Sequence, residues 1–128
     1  MSARAARRTD DGSVAPVNEV RLRGRLAAVP EARDLPSGDE VVVFRVVVDR
    51  PASGSSARVD TIDCAAFRAD VRRSARRWAA GDVLEVTGRL RRRFFRSPTG
   101  PSSRYEVEVE RASRVARAAG AARATMAG

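Results

Sequence analysis

The segment from Val20 to Leu26 alternates between apolar and basic residues, and this alternation constrains the fold more than any other feature of the chain. Its apolar and glycine positions point one way, and its arginines point the other. Successive side chains of a β-strand point to opposite sides, so a period of two indicates a strand with one buried and one solvent-facing side. The exposed side of this strand is basic and consists of Arg21, Arg23 and Arg25.

The same alternation returns in four later segments, which are rich in β-branched residues and bounded by turn-forming residues. They predict strands over Val41–Asp49, Val59–Phe67, Val83–Arg96 and Tyr105–Glu110. Alternation places Phe44 in the core and sets Phe67 and Phe95 on outward faces. Phe94 points opposite to Phe95, so we interpret it as a core or interface residue. Tyr105 fits either the core or a binding surface.

One segment between the third and fourth predicted strands has a helical period instead. Val71, Ala75 and Trp78 recur at spacings of four and three within residues 69–80, which predicts a helix with Trp78 in the core. Five strands with one helix between the third and fourth is the arrangement of the OB-fold, so we expect an all-β, five-stranded Greek-key β-barrel. An SH3-like barrel also fits many short strands, but the position of the single helix favours the OB-fold.

Composition divides the chain into one folded domain and two flanking segments. A chain of 128 residues has room for one domain. Residues 1–17 contain almost nothing large to bury, so we expect a disordered N-terminal arm. Residues 18–112 contain the strand pattern, and residues 113–128 form an Ala/Arg-rich tail that is either flexible or helical.

The charge balance favours an anionic partner. The chain has 25 basic residues, all of them arginine, against 16 acidic residues, for a net charge of +9. Nucleic acid is one such partner, and basic ribosomal-type or membrane-surface proteins share this composition. The absence of lysine also fits a GC-rich genome, so the choice of arginine is weak evidence of binding by itself.

Catalysis and metal binding have few suitable residues. The chain has no histidine and one cysteine, which excludes His-based catalysis, His metal ligation, an intramolecular disulfide and a Cys-cluster zinc site. Cys64 lies in an apolar strand pattern and is expected to be a small buried residue. No phosphate-binding glycine motif is present. We therefore expect a protein that is not an enzyme and uses no metal and no cofactor.

The chain shows no sign of membrane insertion or secretion. Its longest apolar stretches are far shorter than the ~18–20 residues that cross a bilayer. Residues 1–17 contain no apolar region typical of a secretory signal. We expect a cytoplasmic, nucleoid-associated protein with no membrane partner.

Two segments resemble the bacterial single-stranded-DNA-binding protein (SSB) family. Asn18–Leu26 has the form N-x-V-x-L-x-G-x-L of the family's opening strand, and Pro30–Arg33 and Leu35–Gly38 follow it as in the family. Gly81–Leu90 resembles the family's G-[DS]-x-[VL]-x-[VI]-x-G-x-L and runs directly into the basic and aromatic residues 91–96. The resemblance covers about residues 18–112. It implies non-catalytic binding of single-stranded DNA in replication, repair or recombination.

The resemblance and the strand pattern together predict a binding surface. Single strands bind to cations along the backbone and to aromatic rings on which bases stack. Phe67 and Phe95 fall where the family places base-stacking aromatics, and several arginines share the face of Phe95. The expected nucleic-acid-binding residues are Arg21, Arg23, Arg25, Arg45, Phe67, Arg89, Arg91, Arg93, Phe95, Arg96 and Arg104.

The chain also departs from the family's pattern. Where the family carries further stacking tryptophans, this chain has residues 50–52 and 61–63, so Asp63 puts a carboxylate on the expected binding face. No acidic residue follows Glu110, whereas replicative members end in an acidic tail that recruits other enzymes. We therefore expect a short accessory paralogue without tail-mediated recruitment. The family forms tetramers, so we expect a homo-oligomer, either a tetramer or a dimer.

Two alternatives stay open. Asp63 and the missing tryptophans favour an OB-fold protein-interaction or assembly module with weak nucleic-acid binding. RNA binding or a role as a primosome accessory protein is the other alternative, because stacking and arginine contacts serve either nucleic acid.

Overall fold

A computed structural model describes residues 12–51 and 58–119. The predicted N-terminal arm as far as residue 11 and the predicted tail beyond residue 119 lie outside these ranges. The elements, in chain order, are β1 (Val20–Leu26), β2 (Glu31–Asp34), β3 (Glu40–Asp49), β4 (Val59–Ala66), α1 (Ala69–Ala75), β5 (Val83–Ser97) and β6 (Gly100–Ala116).

Five of the strands form a sheet that closes on itself. β1 pairs with β5 on one side and, through Arg25 and Leu26, with β3 on the other. The ring continues through β5–β6, β6–β4 and β4–β3. β4 and β6 are parallel at Cys64–Val107, whereas the other pairs are antiparallel. With α1 between β4 and β5, this arrangement confirms the predicted OB-fold.

β2 is a short strand that the sequence pattern did not predict. Residues 31–34 pair with residues 40–43 of β3 at the margin of the ring. Gly38 has a φ of 90°, which allows the tight turn between the two strands. All four residues of β2 are exposed, so no alternation of polar and apolar residues marks this strand.

The core fills the ring and is covered at one end by α1 and the turn that follows it. Val46, Leu84 and Val86 are completely buried. The rings of Phe44 and Trp78 meet edge to face, with centroids 5.3 Å apart and planes at 78°. The predicted core positions of both rings are therefore confirmed. α1 itself ends at Ala75, five residues before the predicted end, and a hydrogen-bonded turn carries the chain to Trp78.

A buried carboxylate joins three segments at the base of the ring. Asp82 accepts hydrogen bonds from the amides of Ala79 and Ala118, both at 2.8 Å, and lies 3.3 Å from Nη1 of Arg114. Burial opposes ionisation of Asp82, but these hydrogen bonds and the arginine together hold its pKa below the ordinary value. Asp82 thus fixes the end of β6, which runs to Ala116, four residues beyond the predicted domain.

β5 and β6 continue past the ring as a two-stranded hairpin. We call residues 89–106 the hairpin arm. Residues of β5 alternate between buried and half-buried up to Gly88, but every residue from Arg89 to Arg96 is exposed. The Asn18 side chain donates to the carbonyl of Leu90 and accepts from its amide, and this contact ends the pairing on that side of β5. Beyond it, β6 is the only one of the described strands that pairs with β5.

The arm departs from the sequence prediction in two ways. The predicted strands end at Arg96 and begin again at Tyr105, but residues 100–103 are paired strand, so the turn is reduced to Pro98 and Thr99. Phe94 was interpreted as a core or interface residue; it is 71% exposed, so the core alternative is wrong and the interface alternative stays a prediction. Its side of the strand faces the core only where the ring exists, and Phe94 lies beyond the ring.

The described residues contain no helix long and apolar enough to span a membrane. The same residues hold no group of three or more side chains suited to binding a metal ion.

Candidate nucleic-acid interface

The side of β3, β4 and β6 that points away from the core continues, in the strand register, onto one side of the hairpin arm. We call this surface, with residues Arg45, Asp63, Phe67, Arg89, Arg91, Arg93, Phe95, Arg104, Glu106, Glu108 and Glu110, the outer face. Strand register creates it: Arg45 is opposite Asp63, Arg91 is opposite Glu106, and Arg93 is opposite Arg104. Most of the predicted binding residues therefore lie on one connected surface.

Both predicted stacking rings on the outer face lie beside an arginine. Phe67, directly after β4, is half-buried, and the guanidinium carbon of Arg93 is 5.6 Å from the centre of its ring. Phe95 is 42% exposed, and the guanidinium carbon of Arg104 is also 5.6 Å from its ring. These distances fit cation–π contacts. The contacts orient two of the predicted cations against the two predicted stacking residues.

A row of glutamates neutralises the central arginines of the outer face. Arg89 pairs with Glu110 at 3.1 Å, Arg91 with Glu108 at 3.6 Å, and Arg93 with Glu106 at 3.1 Å. The Glu106 side chain is only 5% exposed. The row of arginines is therefore less positive than its sequence suggests.

Sequence reasoning missed these ion pairs. Arg89, Arg91 and Arg93 alternate along one strand, and three glutamates alternate along the next. Two alternating rows on strands joined by a hairpin face each other if the register matches. The sequence shows the spacing of the charges along each strand. The register between the strands depends on the length of the turn that joins β5 and β6, and the predicted strand bounds left this turn too long.

The arginines of β1 lie apart from the two rings. Arg21 and Arg23 both bind Glu85 on β5, at 2.9 Å and 2.6 Å, and Arg25 binds Asp49 at 3.0 Å. Hydrogen bonds from Arg23 and then Arg21 lower the pKa of Glu85. β3 separates β1 from β4, so the structure does not bring these arginines to Phe67.

Arg45 and two arginines of the arm complete the predicted set. Arg45 lies 3.5 Å from Asp63, so the carboxylate predicted on the expected binding face has a cationic partner. Arg96 and Arg104 form no ion pair within the described ranges. The hairpin arm therefore carries the uncompensated positive charge of the predicted site.

A recess of about 260 Å³ opens on the outer face below the arm. Its lining combines three arginines with three carboxylates, among them Arg104, Asp63 and Glu106. This volume lies below the ~300–1,000 Å³ of sites for drug-sized molecules, so a fragment fits better than a large cofactor. Cys64 is also among the lining residues, and burial, with the nearby Asp63 and Glu106, raises the pKa of its thiol to about 12. Cys64 is buried, as the strand pattern predicted.

Comparisons with known proteins agree with this architecture. The model of the "Single-strand binding protein family" matches residues 17–115. The chain is 33% identical over 95 residues to a single-stranded DNA-binding protein of Oceanobacillus iheyensis. The matched region covers 73% of this chain and 58% of the relative. It is also 33% identical over 86 residues to single-stranded DNA-binding protein A of Bacillus subtilis, covering 66% of this chain and 50% of the relative. The chain thus spans about half the length of the curated relatives it matches.

A solved structure shares the fold. The structure titled "Plasmodium falciparum SSB complex with ssDNA" superposes with a TM-score of 0.65 and covers 77% of this chain and 93% of that chain. The sequence identity is 17%, so this likeness concerns the fold alone.

Proposed function

The chain belongs to the single-strand binding protein family, and from this premise we propose that it binds single-stranded DNA, without catalysis, on its outer face. One observation carries the proposal: Phe67 and Phe95 lie on a connected surface, and each has an arginine 5.6 Å from its ring. Rings provide stacking surfaces for bases, and arginines contact phosphates. Both requirements of single-strand binding are met by neighbouring side chains.

This chemistry selects single strands over duplexes. In a duplex the bases stack on each other and offer no free ring face to Phe67 or Phe95, whereas an unpaired strand can turn its bases outward. A duplex retains only the phosphate contacts, which are sensitive to salt. The affinity for an unpaired strand therefore exceeds the affinity for the duplex of the same length.

The ion pairs on the outer face set the strength of binding. A phosphate must compete with Glu106, Glu108 and Glu110 for the arginines paired with them, so these contacts release fewer counterions from the strand than contacts with free arginines would. On the outer face, Arg104 supplies the main phosphate contact, because it forms no ion pair among the described residues. Stacking therefore contributes a larger share of the binding free energy than the net charge of +9 suggests.

One domain offers only two stacking rings on its outer face, so assembly into a homo-oligomer, either a dimer or a tetramer, raises the affinity for a strand. Linked sites bind one strand with an affinity above that of each site, because the second contact is intramolecular. Such an assembly would act in replication, repair or recombination as a nucleoid-associated cytoplasmic protein.

A second candidate function is an assembly module with weak nucleic-acid binding. It is favoured by the carboxylates of the outer face, since Asp63 and three glutamates would repel a phosphate backbone wherever their arginines move away. This function predicts a stable protein partner and no dependence of binding on oligonucleotide length.

Fluorescence anisotropy with labelled oligo-dT of increasing length tests the proposal. The same lengths of duplex DNA and of oligo-rU serve as competitors, and the series is repeated across salt concentrations. Affinity that rises in steps with length, and that exceeds duplex affinity at every salt concentration, supports single-strand binding. Equal and salt-labile binding to oligo-dT and duplex would contradict it and favour the assembly module. Preference for oligo-rU would assign the surface to RNA.

A further inference from the structure

The side of the hairpin arm opposite the outer face is exposed and aromatic. We call it the inner face of the arm; it consists of Leu90, Arg92, Phe94, Arg96, Pro101, Ser103 and Tyr105. Phe94 is 71% exposed, Tyr105 59% and Leu90 43%. Leu90, Arg92, Phe94 and Arg96 continue the side of β5 that faces the core within the ring, but the described residues form no core beneath them.

Arg92 lies between the two rings of the inner face. It is directly opposite Tyr105 in the strand register, and Phe94 is opposite Ser103. The guanidinium carbon of Arg92 is 4.9 Å from the centre of the Phe94 ring and 5.8 Å from that of Tyr105. Its Nε donates to the hydroxyl of Ser103 at 3.2 Å. The arrangement repeats the ring-and-arginine pattern of the outer face with different residues.

The inner face differs from the outer face in its charge. None of its seven residues is acidic, and neither Arg92 nor Arg96 forms an ion pair in the described parts of the chain. On the outer face, by contrast, a glutamate neutralises each of Arg89, Arg91 and Arg93. The inner face therefore combines exposed rings with uncompensated positive charge.

This combination fits an anionic partner with flat apolar surfaces better than a second copy of the chain. A two-fold contact between two inner faces would place Arg92 and Arg96 of each copy near those of the other, with no carboxylate of this face to neutralise them. A single-stranded nucleic acid supplies phosphates for the arginines and bases for the rings.

We propose that the inner face is a second binding surface for the same single strand, with bases stacked on Phe94 and Tyr105 and phosphates bound by Arg92 and Arg96. The strand then passes around the hairpin arm and contacts both of its faces. This inference rests on the proposed function, because it concerns the path of a strand that the outer face also binds. It adds Arg92, which had no predicted role, Phe94, which was predicted to be a core or interface residue, and Tyr105, which was left between the core and a binding surface. Arg96 was already among the expected binding residues.

The single tyrosine of the chain permits a direct test. Growth with 3-fluorotyrosine labels Tyr105 alone, so the fluorine NMR spectrum of the full chain reports on the inner face. Oligo-dT is titrated into the labelled protein, and anisotropy measures binding on the same samples. We expect the Tyr105 resonance to shift along the same binding curve as the anisotropy. The shift is expected only with oligonucleotides long enough to reach both faces of the arm.

Each outcome separates the inference from the proposed function. If anisotropy shows oligo-dT binding while the Tyr105 resonance does not move, the inner face does not bind the strand. This result overturns the inference and leaves the proposed function standing. Absence of any oligo-dT binding overturns the proposed function. A resonance that shifts with protein concentration alone, and does not respond to oligo-dT, means that copies of the chain cover the inner face, which also overturns the inference.

A pair of variants provides a second readout. Phe94→Ala is expected to weaken binding of a long oligo-dT by roughly 5- to 150-fold, the loss of one stacked base, and to leave binding of the shortest oligo-dT unchanged. Val115→Ala removes an exposed apolar side chain at the far end of β6 and is expected to change neither affinity. Equal affinity of both variants for the long oligo-dT, with circular dichroism unchanged, would contradict stacking on Phe94.

Discussion

The guanidinium carbon of Arg93 lies 5.6 Å from the centre of the Phe67 ring, so a residue of the hairpin arm contacts a residue at the end of β4. The same side chain reaches Oε2 of Glu106, 3.1 Å from its Nη2, although without hydrogen-bond geometry. Arg93 thus connects a stacking ring to a buried carboxylate. A bound phosphate would have to replace the carboxylate, whereas a bound base can stack beside the guanidinium.

Replacing Glu106 with glutamine should strengthen single-strand binding. Glu106→Gln keeps the shape of the side chain and removes the negative charge that holds Arg93, so Arg93 becomes available to a phosphate. We expect a higher affinity for oligo-dT and a salt slope that is steeper by about 0.7, the value for one added phosphate contact. Anisotropy across a salt series measures both.

Glu40→Gln is the matched control for this prediction. It also raises the net charge by one, but Glu40 pairs with Arg72 and Arg76, away from the outer face. Equal effects of the two substitutions would show that only net charge matters, and would contradict a specific role of Glu106.

Arginines of the arm should matter more for binding than arginines of β1. Arg104 forms no ion pair among the described residues and lies over Phe95, whereas Arg21 is bound to Glu85. We expect Arg104→Gln to lower the oligo-dT affinity and to reduce the salt slope by about 0.7. Arg21→Gln should change both much less. A larger effect of Arg21→Gln would place the binding path along β1 instead of the arm.

Loss of the Asp82 charge should destabilise the fold. Asp82→Asn leaves one of the amides of Ala79 and Ala118 facing a weaker acceptor or a donor, and removes the charge beside Arg114. We expect the free energy of unfolding at pH 7 to fall by about 1–3 kcal/mol. Urea denaturation followed by circular dichroism measures it. Asp34→Asn, in the exposed strand β2, serves as the control and should be nearly neutral.

The same carboxylate predicts a pH dependence. The pKa of Asp82 is lower in the folded chain than its ordinary value of 3.8, so its contribution to stability is fully present above pH 3.8 and is lost as the pH falls through the folded value. The wild-type chain should therefore lose stability more steeply than Asp82→Asn below pH 3.8. Parallel curves for the two proteins in that range would contradict this role.

The fold was largely predictable because its strands alternate over a buried core. β1 has the predicted bounds Val20–Leu26, and Phe44 and Trp78 lie in the core, since their spacing alone determines which side they occupy. β2 gave no signal because it is exposed on both sides. Phe94 was misplaced because alternation tells which side of a strand a residue occupies, and cannot tell where the core beneath that strand ends.

The side of the sheet on which the candidate residues lie was predictable, but their ion pairs were not. Phe67, Phe95 and Arg93 lie together as the alternation and the family resemblance indicated. The pairing of Arg93 with Glu106 depends on the register of β5 and β6, which is set by the two-residue turn at Pro98 and Thr99. Sequence spacing on each strand does not determine that register.

The most direct test of stacking on the outer face is the affinity of the double variant Phe67→Ala/Phe95→Ala for oligo-dT, measured by anisotropy beside Val115→Ala. We predict that each phenylalanine contributes about 1–3 kcal/mol, so the double variant binds oligo-dT far more weakly than the control while its duplex binding is unchanged. Unchanged oligo-dT affinity in a double variant that still folds, as judged by circular dichroism, would contradict base stacking on the outer face.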